Sequence, residues 1–434
     1  MRIQKRLAAF DDVSRRDFVA GAAKAFLGLT AMPWLAPAAR ALQDDGVPTK
    51  PATARNVIYL FMNGGMSHLD TFDPKPGEET QGPIEAIQTK ADGVRISQYF
   101  PSLAQQMDKI ALVSSMFSNQ GAHAQGQYFM HTSYLLRGTI RHPSLGAWVS
   151  RMRGRINPTL PAHVAIGNGV DDASCGFLES EHAPLPIGDP EAGLQNSTRA
   201  EGVSPEAFDR RLARLQQMNG EFAQRYDQKA VRAYDKMYEQ AVRLMSSEDL
   251  AAFDITREPD SLREAYGSDP FGQGCLLARR LVEHGVRYVE VGNGGWDTHN
   301  ENFDAMADKC PPLDRTLATL LADLDSRGLL HETLVVLATE FGRTPDIVAG
   351  RNGRNHYPKA FTCWMAGGGI RGGQRYGATD AQGREIADRM VTVPDFNATI
   401  AHALGLPTDH VMTSPSGRPF RVADKGEPVT ALFG

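Results

Sequence analysis

The feature that most constrains the fold is Asn56-Val57-Ile58-Tyr59-Leu60-Phe61-Met62, a short run that is apolar almost throughout and stops at Asn63-Gly64-Gly65. A strand with one wet face alternates polar and apolar side chains. A strand apolar at nearly every position has both faces covered, as in a parallel sheet between helical layers. Comparable runs recur at residues 110–113, 162–166, 286–291, 333–338 and 361–366, with helical patterns over 102–109, 125–136, 144–152, 271–283, 302–326 and 395–404. Gly285 and Gly405 stop two of these helices, and Pro394 opens the last. Pro311 and Pro312 are expected to divide or kink the helix over 302–326. The alternation predicts an α/β sandwich with a mainly parallel sheet covered by helices.

Residues 203–253 break this rhythm. They are rich in Arg, Gln, Glu, Ala and Met, and their apolar positions fall at helical spacing, which predicts a helical insertion of two long helices. Met237, Tyr238 and Leu244 are read as its buried stripe.

The N-terminus reads as an address. Ser14-Arg15-Arg16-Asp17-Phe18 precedes a weakly apolar segment from Val19 to Ala38, and Ala39-Arg40-Ala41 supplies a small-x-small cleavage pattern. This order predicts a twin-arginine signal peptide over residues 1–41, the twin-arginine translocase as partner during export, and a periplasmic or extracellular mature protein. Residues 42–55 read as a polar linker and 56–434 as the folded domain. The segment is too short and interrupted to span a bilayer, no cysteine stands at the cleavage site, and no other run has the roughly 20 apolar residues a span needs. No stable membrane anchor is expected. The net charge of −5, with no basic stripe, argues against a nucleic-acid partner. The four cysteines, Cys175, Cys275, Cys310 and Cys363, include no C-x-x-C pair and form no zinc knuckle. Cys363, in an apolar strand, reads as a buried free thiol.

Polar residues of ligand type cluster beside the apolar strands, where open α/β sheets build their sites. After the first strand come Asn63, His68 and Asp70; each is of ligand type, and a turn with local side-chain hydrogen bonds is the structural alternative. After residues 286–291 comes Gly295-Trp296-Asp297-Thr298-His299-Asn300. Asp-x-His puts a hard oxygen and an imidazole on one side of an extended segment, a donor set suited to zinc, iron or manganese. The alternative makes Asp297 or Asn300 a helix N-cap. After residues 333–338 comes Thr339-Glu340-Phe341-Gly342-Arg343-Thr344. Glu340, where a buried strand emerges, needs a cation, either a metal or Arg343 in an ion pair; Arg343 could otherwise bind a substrate anion. His356 lies in Gly353-Arg354-Asn355-His356-Tyr357-Pro358, ahead of residues 361–366. His123 and Asn119 lie before the helix over 125–136, where they could face a substrate. Gly367 to Gly373 lacks the G-K-[ST] ending of a phosphate loop and reads as a tight glycine hairpin. There is no G-x-S-x-G elbow.

The runs Asn63 to Pro76, Gly295-Trp296-Asp297-Thr298-His299, Thr339-Glu340-Phe341-Gly342-Arg343-Thr344-Pro345 and Asn355-His356-Tyr357-Pro358 resemble domain-of-unknown-function family 1501, in order and from about Asn56 to Leu406. Members of that family are twin-arginine-exported bacterial proteins whose core is similar to the alkaline phosphatase and sulfatase superfamily. The resemblance implies a metal-dependent hydrolase of phosphate or sulfate esters. Asp297, His299, Glu340 and His356 fall in the order of the superfamily's metal ligands. Three departures stand out: Asn63 in place of the usual Asp, Phe341 after Glu340 where His or Asn usually follows Asp, and no Cys-x-Pro-Ser-Arg nucleophile.

The expected function is hydrolysis of an anionic ester, in a small molecule or a polysaccharide, with a bound divalent zinc, manganese or iron ion. Asp70, Asp297, His299, Glu340 and His356 are the candidate ligands, and Arg343 and His123 the candidate catalytic groups. The alternative is a non-catalytic exported binding protein on a degenerate fold of the same kind.

Overall fold

The computed structural model describes residues 50–434 other than 196, 198 and 226–228; the segment expected to be an export signal and most of the expected linker fall outside them. The strands of the main sheet are β1 (Asn56–Met62), β2 (Ile110–Phe117), β3 (His163–Ile166), β4 (Leu185–Ile187), β5 (Tyr288–Asn293), β6 (Thr333–Ala338), β7 (Phe361–Ala366), β8 (Gln374–Tyr376) and β9 (Val391–Thr392). Their order is β8-β2-β7-β6-β1-β5-β3-β4, with β9 also on β2.

The mainly parallel sheet is as expected. Strand β1 is central, and Val57 is level with Tyr288 of β5 and Leu334 of β6, both in parallel pairing. Every residue of β1 and β6 is buried. The exception is β7, antiparallel to both β6 and β2. A parallel return needs a crossover, usually a helix. No helix lies between β6 and β7, so the chain comes back the opposite way. The run Gly367 to Gly373 is not a hairpin either, because β7 and β8 sit on opposite sides of β2 rather than pairing with each other.

The main unit's helices are α1 (Pro101–Ala104), α2 (His123–Thr132), α3 (Leu145–Arg153), α6 (Asp260–Tyr266), α7 (Pro270–Glu283), α8 (Asn302–Ser326) and α9 (Val393–Ala403). Helices α2, α3 and α9 cover one face, where Met130, Trp148, Val149, Phe396 and Ile400 form one buried cluster with Val57, Tyr59 and Phe61. Helix α7 packs on β5 and β1, and α8 packs on α7. Each fully buried side chain of this size contributes about 1.5–3 kcal/mol, so the two layers hold the sheet firmly. Local signals set the ends. Ser144 caps α3 through the Ala147 amide, and Thr392 and Asp395 form a reciprocal capping box on α9. Helix α8 runs unbroken through Pro311 and Pro312, so the prolines do not divide it. No disulfide forms among the described residues, and Cys363 is buried in β7.

Residues 192–251 form a separate compact unit. It holds α4 (Pro205–Arg225) and α5 (Lys229–Met245), joined through Phe208, Leu212 and Tyr238. Tyr238 and Leu244 are buried, but Met237 is 49% exposed. One residue is about 100° around a helix, which carries Met237 off the stripe that Tyr238 occupies.

Candidate functional site

Strand direction assembles the site. Strands β6, β1 and β5 are parallel neighbours, so the loops after Ala338, Met62 and Asn293 emerge side by side. Because β7 runs the other way, the segment before it reaches the same end. His356-Tyr357 pairs there with Gly342-Arg343 as a short antiparallel ribbon, His356 opposite Arg343. Strand β2 ends on that side too and leads into α2, whose first residue is His123.

Gly64 and Gly65 let these loops touch. Their φ angles are 123° and 77°. A Cβ on Gly64 would lie 2.6 Å from the Asp297 amide, and one on Gly65 2.6 Å from the Phe341 ring. No other residue fits either place without strain.

At the centre, one carboxylate faces three imidazoles. Asp297 Oδ1 lies 3.0 Å from His299 Nε2 and 3.2 Å from His356 Nε2, and Oδ2 lies 3.3 Å from His123 Nε2. The far side of every ring is held. Nδ1 of His356 is 2.8 Å from the Gly121 carbonyl, Nδ1 of His123 is 2.8 Å from Glu340 Oε1, and Nδ1 of His299 is 3.0 Å from Asn355 Oδ1. Those partners only accept, so each Nδ1 carries a proton, and each Nε2 faces Asp297, where it either carries a second proton or offers its lone pair to a cation. The Nε2 atoms of His299 and His356 are 3.0 Å apart, and Nε2 of His123 is buried with no hydrogen-bond partner. Donor atoms of His123, Asp297 and His356 all lie within 4.8 Å of one another, close enough to hold one metal ion. The second ring nitrogen of a metal-binding histidine is typically tied to a carboxylate or carbonyl in this way.

The remaining expected residues are placed as follows. Glu340 is fully buried and lies behind His123 rather than in the cluster, accepting from the Gly64 amide at 2.9 Å as well as from His123. Arg343 is also fully buried and does not pair with Glu340. Its Nε donates to the Gly65 carbonyl at 2.8 Å, Nη1 to the Arg354 carbonyl at 3.2 Å, and Nη2 to the Gly64 carbonyl and to Asp297 Oδ1. Four of the five guanidinium N–H groups are spent on the loops that carry the site and on Asp297, and the group is buried, so the expected substrate-facing role is corrected to a clamp on Asp297. Asp70 is corrected too. It is buried in an ion pair with Arg354, at 2.8 Å and 3.0 Å, and also takes Ser67 Oγ at 2.6 Å and Asn302 Nδ2 at 2.9 Å. With four donors on its two oxygens, it stands as the turn residue of the alternative reading. Asp297 and Asn300 do not cap α8, whose N-cap position is Glu301.

Electrostatics follow from these contacts. Burial works against the charge of Asp297, but the hydrogen bond and charge of Arg343 outweigh it, with help from His123 and His299, and hold the carboxyl down to about 2. The hydrogen bond to Glu340 raises His123 above the ordinary histidine value, whereas burial lowers His356. Sequence reasoning missed Gln127, whose Nε2 donates to Asn63 Oδ1 at 2.7 Å and lies 3.5 Å from Glu340 Oε1. Its position four residues after His123, on the same helix face, is the signal that could have found it.

Fold and site together define an α/β protein with a histidine–carboxylate cluster at the carboxyl ends of its central strands. The sequence matches the family described as "Protein of unknown function (DUF1501)" over residues 54–433, and the chain belongs to that family. A search of curated proteins found no match. Among solved structures the chain is similar to the lipoteichoic acid synthase LtaP from Listeria monocytogenes, at 9% identity over 84% of this chain and 76% of that one, with a TM-score of 0.40. It is similar to the PsFucS1 sulfatase from Pseudoalteromonas sp., at 11% identity over 86% of this chain and 73% of that one, TM-score 0.38. A protein in the alkaline phosphatase superfamily from Vibrio parahaemolyticus matches at 10% identity over 83% of this chain and 69% of that one, TM-score 0.35. At such identities no activity passes from those proteins to this chain.

Proposed function

We propose that this chain is an exported, metal-dependent hydrolase of anionic phosphate or sulfate esters, carried by a small molecule or a polysaccharide. One observation carries the metal: the Nε2 atoms of three histidines converge on the carboxylate of Asp297, each ring held from behind at Nδ1. Such a convergence needs positive charge, which a bound cation supplies in place of further protons on the rings. His123, Asp297 and His356 would hold the ion, with His299 beside them. Imidazole and carboxylate together suit zinc, manganese or iron. When bound, a divalent ion polarises an ester oxygen and lowers the pKa of water.

The chain's own groups prepare the place. Glu340 keeps the proton of His123 on Nδ1, the Gly121 carbonyl does the same for His356, and Asn355 for His299. Arg343 keeps Asp297 ionised and fixed. Asp297 is 44% exposed at its side chain, so the cluster is open to a ligand. Metal analysis of protein purified without added metal is the test, together with a screen of phosphate monoesters, phosphate diesters and sulfate esters. Absence of bound metal, with no thermal shift on adding zinc or manganese, overturns the reading.

Binding without catalysis is the second reading. It is favoured by Asn63, an amide tied to Gln127 at the end of β1, and by the burial of Arg343. Turnover abolished by Asp297→Ala rules it out. Export through the twin-arginine translocase to the periplasm or beyond completes the proposal, on the strength of the Arg15-Arg16 leader.

A further inference from the structure

A second charged pair lies beneath the cluster, within the sheet–helix core. Glu290 on β5 is level with Tyr59 of β1 and Ala165 of β3, and its side chain enters the layer between the sheet and α2. There Oε1 lies 2.7 Å from His131 Nε2. The other nitrogen of that ring, Nδ1, lies 2.7 Å from the Gln127 carbonyl. A carbonyl and a carboxylate both accept, so the ring needs a proton on each nitrogen and is an imidazolium. Both residues are buried, His131 edge-on to Phe61 with ring centres 4.5 Å apart. Tyr59, Tyr288, Asp172 and His163 are other titratable groups around the pair.

A pair of this kind is poor value as a stabiliser. Replacing a buried ion pair with apolar side chains of similar volume is often neutral or stabilising. Its position is what distinguishes it. Glu290 belongs to the strand whose exit loop carries Asp297, and His131 belongs to the helix whose first residue is His123. The pair is a direct polar link between β5 and α2. Gln127, whose carbonyl holds His131, reaches with its side chain to Asn63 and Glu340, and Glu340 in turn holds His123.

We infer that the buried His131–Glu290 pair sets the spacing between α2 and β5, and through it the placing of His123 against Asp297, so that both are positioning residues for the cluster. The inference builds on the metal-centre reading. Glu290→Gln breaks the pair, and the double variant His131→Phe/Glu290→Leu removes both charges while keeping the volume filled.

Each variant is compared with the whole protein by thermal unfolding, competition for zinc with a chromophoric chelator, the visible spectrum of bound Co(II), and the ring-nitrogen NMR shifts of His123 without metal. The double variant is expected to unfold cooperatively, bind zinc about 10- to 100-fold more weakly, as is usual for loss of an outer-layer partner, and show displaced Co(II) bands. The His123 nitrogens should shift in both variants. A folded double variant with wild-type zinc affinity, the same Co(II) spectrum and unmoved His123 resonances overturns the inference. A wild-type protein that binds no metal sinks the metal reading alone, and the His123 resonances still decide whether the pair positions that ring.

Discussion

The Nε2 atoms of His299 and His356 stand 3.0 Å apart, and both Nδ1 atoms face acceptors. Two neutral rings in these tautomers cannot hydrogen-bond to each other, because neither has a proton to give. A shared cation, or a third proton, has to relieve the contact.

This gives the first prediction. Zinc or manganese at a hundred times its dissociation constant should stabilise the metal-free protein by about 2.7 kcal/mol, read as a rise in unfolding temperature. His356→Ala should remove most of that rise. His299→Ala should remove less, because His299 lies outside the compact triad of His123, Asp297 and His356. Equal thermal shifts in all three proteins would refute the assignment.

Asp70 and Asp297 should separate cleanly. Asp70→Ala strands the buried guanidinium of Arg354 and should cost about 3–5 kcal/mol, seen by denaturant titration. Asp297→Ala leaves Arg343 its three carbonyl partners and should cost far less stability, while bound metal is lost. If metal content instead fell with Asp70→Ala in protein that still folds, Asp70 would return to the ligand set.

The contrast shows what the sequence could and could not carry. The central strands were legible because burial on both faces leaves an apolar run, and the loops after β1, β5 and β6 were legible because parallel neighbours open at one end. The reversal of β7 was not, since an apolar run reads the same in either direction. Yet that reversal is what returns His356 to the site. Asp70 and Asp297 are the same residue type after similar strands, and only the third dimension shows that one meets Arg354 and the other three imidazoles. Arg343 misled for a related reason. A charge in a loop beside the site looks free for substrate until its donors are found on backbone carbonyls.

His131 gives stability a dependence on alkali. Burial opposes its charge, but Glu290's carboxylate, with the Gln127 carbonyl, outweighs it and lifts the folded value to about 9. A raised value means that the protonated form is favoured by folding. Its contribution, on the order of 3 kcal/mol, is complete below the unfolded value of about 6.5 and is lost as pH rises through about 9. Denaturation midpoints should therefore fall between neutral pH and pH 9–10. The double variant His131→Phe/Glu290→Leu should lose that slope, and retention of the full slope would assign it to other groups.

Export is predicted from the leader. Arg15→Lys with Arg16→Lys keeps both charges but removes the planar guanidinium pair, and lysine cannot reproduce its forked hydrogen bonding. The double variant should stay in the cytoplasm with its leader attached, whereas the parent chain should lose the leader near Ala41 and appear beyond the inner membrane. Fractionation with an antibody to the mature domain reads both outcomes. The trapped precursor adds a second measurement, because the twin-arginine route carries folded cargo. If the cluster around Asp297 fills before export, the cytoplasmic double variant should already contain metal. Normal export of the double variant would show that the general secretory route suffices. The chain would then cross unfolded, and the cluster would have to acquire its metal outside the cytoplasm.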